Sequence, residues 1–227
     1  MSAPTITDRF VELARTPQLG WAQMGISAPE TVYEHSLDMA RIARSIATQH
    51  YPAMDAERLS EMCMVHGLSE LHWAGQIRGR HNTQHKLDAM AHIAATTAPG
   101  RELTRVAELF AEYHQNQTPM ARLANQLDGL QMAQQSLRYE QANPYVTHGF
   151  VWMFAKRNLQ DLPLQNAFEA LARQRPAGID QQPSPTPLEL TAARIKVVTA
   201  ETLARVGNLD AVRAERKAAF AGPVYRT

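Results

Sequence analysis

Apolar residues recur at spacings of three and four along almost the whole chain, and polar residues fill the positions between them. Leu37, Ile42 and Ile46, with Ala40, Ala43 and Ala47, fall on one face, which predicts a helix over 34–49. Tyr51-Pro52 follows its end. Asp55 suits the N-cap of a second helix carrying Leu59, Met62 and Val65. Residues 75–84 hold Gly, Arg, His and Asn without a period and read as a loop. The helical pattern resumes over 83–97 and stops at Ala98-Pro99-Gly100. Leu103, Val106, Leu109, Phe110 and Tyr113 mark the next helix. Thr118-Pro119 then places a cap and a proline at a helix start, and Leu123, Leu127, Leu130, Met132 and Leu137 carry that helix to about 139. Two more helices are expected over 146–155 and 164–173. No segment alternates as a strand would, and hairpin turn pairs are missing. The class is all-α, a helical bundle.

The character changes near residue 175. Pro176, Gly178, Pro183, Pro185 and Pro187 make a linker or a segment wandering over the surface. Helical patterns return over 190–206 and 210–220. The expected organisation is a main domain over 1–175 and a Pro-rich linker with a helical extension over 176–227. That extension is too small for a core of its own and is expected to pack on the body or on a second subunit.

Composition narrows the function classes. The 227 residues carry 23 Lys+Arg against 22 Asp+Glu, a net charge of +1, which gives no basic excess for a nucleic-acid polymer. With one cysteine, Cys63, no intrachain disulfide can form, and a reducing compartment is expected. No apolar run approaches the ~20 residues of a bilayer span. The first ten residues lack the basic start and apolar stretch of a signal peptide. These features predict a cytoplasmic protein without a membrane partner.

Candidate chemistry starts with His35, His66 and Asp128, which lie far apart in sequence, each within a predicted helix. Imidazole and carboxylate are common ligands of divalent transition metals, and a helical bundle can gather them from different helices. Spacing alone is a weak signal in a chain with nine histidines.

Longer motifs add to it. The segment Pro29-Glu30-Thr31-Val32-Tyr33-Glu34-His35-Ser36, with Gly20-Trp21 upstream, resembles the start of the HD-domain phosphohydrolases related to bacterial 5′-deoxynucleotidases. Met64-Val65-His66-Gly67-Leu68-Ser69-Glu70 falls where that family carries its His-Asp pair and a following acid. Residues 108–113, 125–130 and 137–140 follow its later helices, so the resemblance covers about 5–140. It implies an HD-type helical bundle, a metal that activates water and polarises a phosphoryl oxygen, and a homodimer. By the same resemblance His35, His66 and Asp128 would hold one divalent metal (Mn, Co, Ni or Fe). Glu70 would position water or carry a proton, and Trp21 would pack against a small phosphorylated substrate.

The sequence also departs from the family pattern. Gly67 stands where the family has its Asp, and Gln76 where another acid is usual. Gln18, Gly20 and Met24 occupy a stretch where relatives carry phosphate-binding arginines. Arg78, Arg80 and Lys86 are candidates to replace them. His72, His81, His85 and His92 surround the same loop, where some relatives recruit further iron ligands. His66 and Glu70, four residues apart, are expected to share one helix face. Three readings stay open: a divergent phosphohydrolase acting on a nucleotide-like or other small phosphate monoester, a non-haem iron enzyme using the two-His one-Asp set, and a non-catalytic HD-fold binding protein.

Overall fold

The structure is a computed structural model that describes residues 2–73 and 82–182. Among these residues there is no β-strand, only an isolated bridge between Pro17 and Thr31, so the all-α class holds. The helices are α1 (Ile6–Leu13), α2 (Leu19–Gln23), α3 (Val32–His50), α4 (Ala56–Val65), α5 (Thr83–Ala95), α6 (Arg101–Gln115), α7 (Pro119–Ala142), α8 (Gly149–Asn158) and α9 (Leu162–Ala172). Short 3₁₀ turns lie at Leu68–Leu71 and Ile179–Gln181.

Local chemistry sets the starts. Thr31 caps α3 through the Glu34 N–H while the Glu34 carboxylate returns to the Thr31 N–H, a reciprocal box that satisfies two orphan donors. Asp55 accepts from the Glu57 and Arg58 N–H groups at the start of α4, and Thr118 with Pro119 opens α7 as the sequence leads one to expect. The helix α1, with its Thr5/Asp8 box, and the short α2 are elements that periodicity did not indicate.

Helix α7 runs through the middle of the body and packs against α3, α4, α6, α8 and α9. Its buried residues lie all round it, which is why it shows no single apolar stripe. Phe10, Leu13, Met39, Leu59, Met62, Met64, Leu109 and Phe110 have no accessible surface and build the core with Leu123 and Leu127. Each such side chain contributes about 1.5–3 kcal/mol on burial.

One expectation is corrected here. His66 and Glu70 do not share a continuous helix. Helix α4 ends at Val65, His66 is its C-cap, and Gly67 (φ −87°, ψ 0°) leads into the separate 3₁₀ turn that carries Glu70. No helix of the described residues is long and apolar enough to cross a membrane. The start of the Pro-rich stretch is held to the body: Arg175 pairs with Glu140 and Asp180, and Ile179 is buried. The helices expected over 190–206 and 210–220 lie outside the described residues.

Candidate metal centre

Three helices deliver the cluster. His35 sits in the first turn of α3, just past the Thr31 cap. His66 ends α4, and Asp128 projects from the middle of α7. One ligand atom from each lies within 4.8 Å of the others, and this is the group of three metal-competent side chains among the described residues. His35 Nε2 is 3.1 Å from Asp128 Oδ1, and the two imidazole rings are 5.1 Å apart. His35 is 1% exposed, whereas the Asp128 side chain is 39% exposed, so the cluster opens on the Asp128 side.

The surroundings aim each ligand. His66 Nδ1 lies 2.6 Å from the Cys63 carbonyl, which only accepts, so Nδ1 carries the hydrogen and Nε2 is the metal-facing nitrogen. Burial, reinforced by the charge of His35, lowers the His66 pKa to about 4, which keeps this ring neutral. Burial also acts against a charged His35, but the hydrogen bonds and charges of Asp128 and Glu30 outweigh it and raise its pKa well above the ordinary value. Burial alone would raise the Asp128 pKa, yet the His35 contact outweighs it and holds the carboxyl well below the carboxylate range. Two imidazole nitrogens and a carboxylate oxygen, converging at this range, fit a divalent transition metal.

Around the trio, Tyr113 directs its hydroxyl to Asp128 Oδ2 at 3.4 Å, and its ring lies 5.1 Å from that of His66. Burial, then the Asp128 charge, pushes the Tyr113 hydroxyl well above its ordinary pKa. His114 Nε2 is 2.9 Å from the His66 carbonyl. Glu70 is half-buried, and burial raises its pKa. The charge of Lys86, on the first turn of α5, is felt at Glu70, His66, His114 and Asp128.

The remaining sequence candidates fall elsewhere. Trp21 has no accessible surface; its indole N–H donates to Glu30 at 2.9 Å and its ring packs edge-on against Tyr139 and His148. In this conformation it reaches the site through Glu30, not as an exposed wall. Gln76, Arg78, Arg80 and His81 lie outside the described residues. His72 and His92 pack ring to ring at 5.0 Å but join no third ligand among the described residues. At Gly67 an added Cβ would come 2.6 Å from Val32 Cγ1, so a carboxylate there would require Val32 to move.

Sequence reasoning missed Glu30, Tyr113, His114 and Gln131 as neighbours of the site. Gln131 had a signal, since it lies three residues beyond Asp128 and so on the same face of α7. Tyr113 read only as an apolar marker of α6.

Comparison with known proteins gives the same outline. Over 135 residues the chain is 29% identical to 5′-deoxynucleotidase HDDC2 of Danio rerio, covering 57% of this chain and 66% of that protein. Over 149 residues it is 28% identical to 5′-deoxynucleotidase hdd1 of Schizosaccharomyces pombe, covering 62% of this chain and 73% of the relative. The chain thus spans just under two thirds of the zebrafish protein's length. Among solved structures, a conserved hypothetical protein from Pyrococcus furiosus superposes with a TM-score of 0.56 at 23% identity, over 71% of this chain and 94% of that one. A predicted metal-dependent phosphohydrolase from Magnetospirillum magnetotacticum gives 0.52 at 21% identity, over 74% and 86%. Both show the same fold. The HD domain family model matches residues 12–163, a stretch that includes His35, His66 and Asp128, and the chain therefore belongs to the HD domain family.

Proposed function

We propose that the chain is a divalent-metal-dependent phosphohydrolase acting on a small phosphate monoester of the nucleotide kind. The observation that carries this reading is the convergence of His35, His66 and Asp128 within 4.8 Å, open on one side. The names of the zebrafish and fission yeast relatives support the substrate class.

In this reading His35 Nε2, His66 Nε2 and Asp128 hold the ion. When bound, a divalent ion supplies Lewis-acid activation of water and of a phosphoryl oxygen. Lys86 pairs with the phosphate and fixes its approach. Glu70, whose carboxyl is shifted upward by burial, holds or moves a proton between water and the leaving oxygen. Water adds at phosphorus, the P–O bond to the alcohol breaks, and the departing oxygen takes a proton. Gly67 leaves the protein with one carboxylate fewer than the family pattern, so the proposed site has three protein ligands and would leave the remaining ligand positions to water or substrate oxygens.

The test is phosphate release from deoxynucleoside monophosphates with Mn, Co, Ni or Mg. Glu70→Gln should lower kcat about 10²-fold while metal content stays constant. No release above the Asp128→Ala variant with any of these metals would overturn the reading. A cytoplasmic homodimer belongs to the same proposal. Phe150, Met153 and Phe154 support the homodimer, because they are exposed together on α8 at spacings of three and four. Light scattering at the monomer mass would remove it.

A further inference from the structure

Behind His35, on the side away from Asp128, runs a chain of buried hydrogen bonds that the hydrolytic reading leaves unused. His35 Nδ1 meets Gln131 Oε1 at 2.6 Å. Gln131 Nε2 donates to Glu30 Oε2 at 2.9 Å, and Glu30 Oε1, itself 3.5 Å from His35 Nδ1, accepts the Trp21 indole N–H at 2.9 Å. His35, Gln131, Glu30 and Trp21 are all buried.

The polarity of this chain follows from the groups themselves. An indole N–H only donates, and a carboxylate only accepts. Glu30 therefore takes the NH₂ side of the Gln131 amide, and the amide oxygen is left facing His35. An amide oxygen only accepts, so Nδ1 of His35 keeps its hydrogen and Nε2 is the nitrogen turned to Asp128 and His66. His66 reaches the same tautomer more simply, through one backbone carbonyl. His35 depends on three side chains from other parts of the molecule: Gln131 on α7, Trp21 on α2, and Glu30 just before the α3 cap.

We propose that Gln131 and Glu30, held in place by Trp21, are positioning residues that set the His35 tautomer and ring orientation, so that the α2 segment controls metal affinity. The proposal rests on the reading of His35, His66 and Asp128 as a metal centre. A merely structural role for the same bonds would leave metal binding unchanged in any variant that still folds.

The experiment is a Co(II) titration of the full chain, followed by visible d–d absorption, with circular dichroism and thermal melting as controls on folding. Gln131→Met removes the amide at similar volume. Trp21→Phe removes the N–H and keeps a ring. Gln131→Met should weaken cobalt binding by about tenfold or more, the range found when partners behind a metal-bound histidine are lost. Trp21→Phe should weaken it less and shift the cobalt band. Wild-type affinity and spectrum in both variants would overturn the proposal. If Gln131→Met does not fold, Trp21→Phe alone decides, and an unchanged band and affinity would overturn it. Failure of the wild-type chain to bind cobalt would instead strike the metal centre itself, and the positioning role with it.

Discussion

Replacing Arg175 by Met strands a charge in the interior, and the structure allows the cost to be worked out. Glu140 is fully buried near the end of α7. Arg175 holds it by two bonds, Nε to Oε2 at 2.8 Å and an Nη2 bond to Oε1 at 3.0 Å. The His148 backbone N–H and the Trp152 indole N–H supply the other two donors, at 2.8 and 3.1 Å. The guanidinium also lies 4.7 Å over the Trp152 ring. In Arg175→Met the carboxylate keeps only its neutral donors. Two lost bonds to a charged group, at about 1.5–3 kcal/mol each, give roughly 3–6 kcal/mol. Breaking a buried pair from one side costs about 3–5 kcal/mol, which agrees. At about 2–4 °C per kcal/mol for a chain of this size, a loss near 3 kcal/mol lowers Tm by roughly 6–12 °C.

The reverse change should be milder. In Glu140→Gln the side chain keeps its shape and an acceptor for Trp152. Arg175, 12% exposed, retains Asp180 at 2.8 Å and access to water. That variant should lose about 1–3 kcal/mol. The double variant strands no ion and should be more stable than Arg175→Met alone, so the two changes are non-additive by at least about 1 kcal/mol. Urea denaturation of the four proteins measures this cycle. An Arg175→Met loss below about 1 kcal/mol, or a double variant as unstable as the sum of the singles, would refute the argument that the charge, not the packing, dominates.

Other outcomes follow from the site. Metal at about a hundred times its Kd should stabilise the chain by about 2.7 kcal/mol and raise Tm by roughly 5–11 °C; Asp128→Ala should show no such rise in differential scanning fluorimetry. Lys86→Met should raise KM for a phosphate monoester about tenfold, since an ion pair with substrate is lost, and steady-state kinetics showing only a kcat change would count against the phosphate contact. Cys63 is fully buried, and burial followed by the Asp128 charge pushes its thiol pKa up, so no thiolate is available near pH ~8. A disulfide reagent should label it only after unfolding, and labelling of the native chain at the rate of a free cysteine would contradict that.

The elements that sequence revealed are those with a repeating signal. Helices α3, α4, α6 and α7 combine long apolar periodicity with capping residues, and their observed ends fall within a few positions of those expected. Helix α2 has five residues, too few for any period, and α1 was hidden in a segment read only for targeting signals. His35, His66 and Asp128 were legible because the motifs around them resemble a known family, and the structure brings their ligand atoms together. The break at Gly67 was not legible: His66 and Glu70 have helical spacing, but the backbone turns between them, and spacing cannot register a change from an α-helical to a 3₁₀ path.

The buried polar residues of α7 explain why its connections were hidden. Gln126, Gln131, Gln135, Ser136 and Glu140 are buried there, at positions where pattern reasoning assigns polar residues to solvent. Several have defined work in the interior. Gln126 Oε1 accepts from the Gln160 and Asp161 N–H groups at the entry to α9, Gln131 faces His35, and Glu140 binds Arg175. Each buried polar group is costly unless it is paired, and each of these partners lies far away in sequence. A central helix that touches five others buries residues all round, so several of its polar positions become joints of the fold. Asp128 belongs to this same set, differing in that its carboxylate lies where the body opens to solvent. Asp128, the ligand that α7 gives to the candidate metal centre, and the residues that anchor the bundle thus lie on successive turns of one helix, and Gln131 on that helix faces His35, so metal affinity should respond to substitutions at Gln131 that never touch the ion.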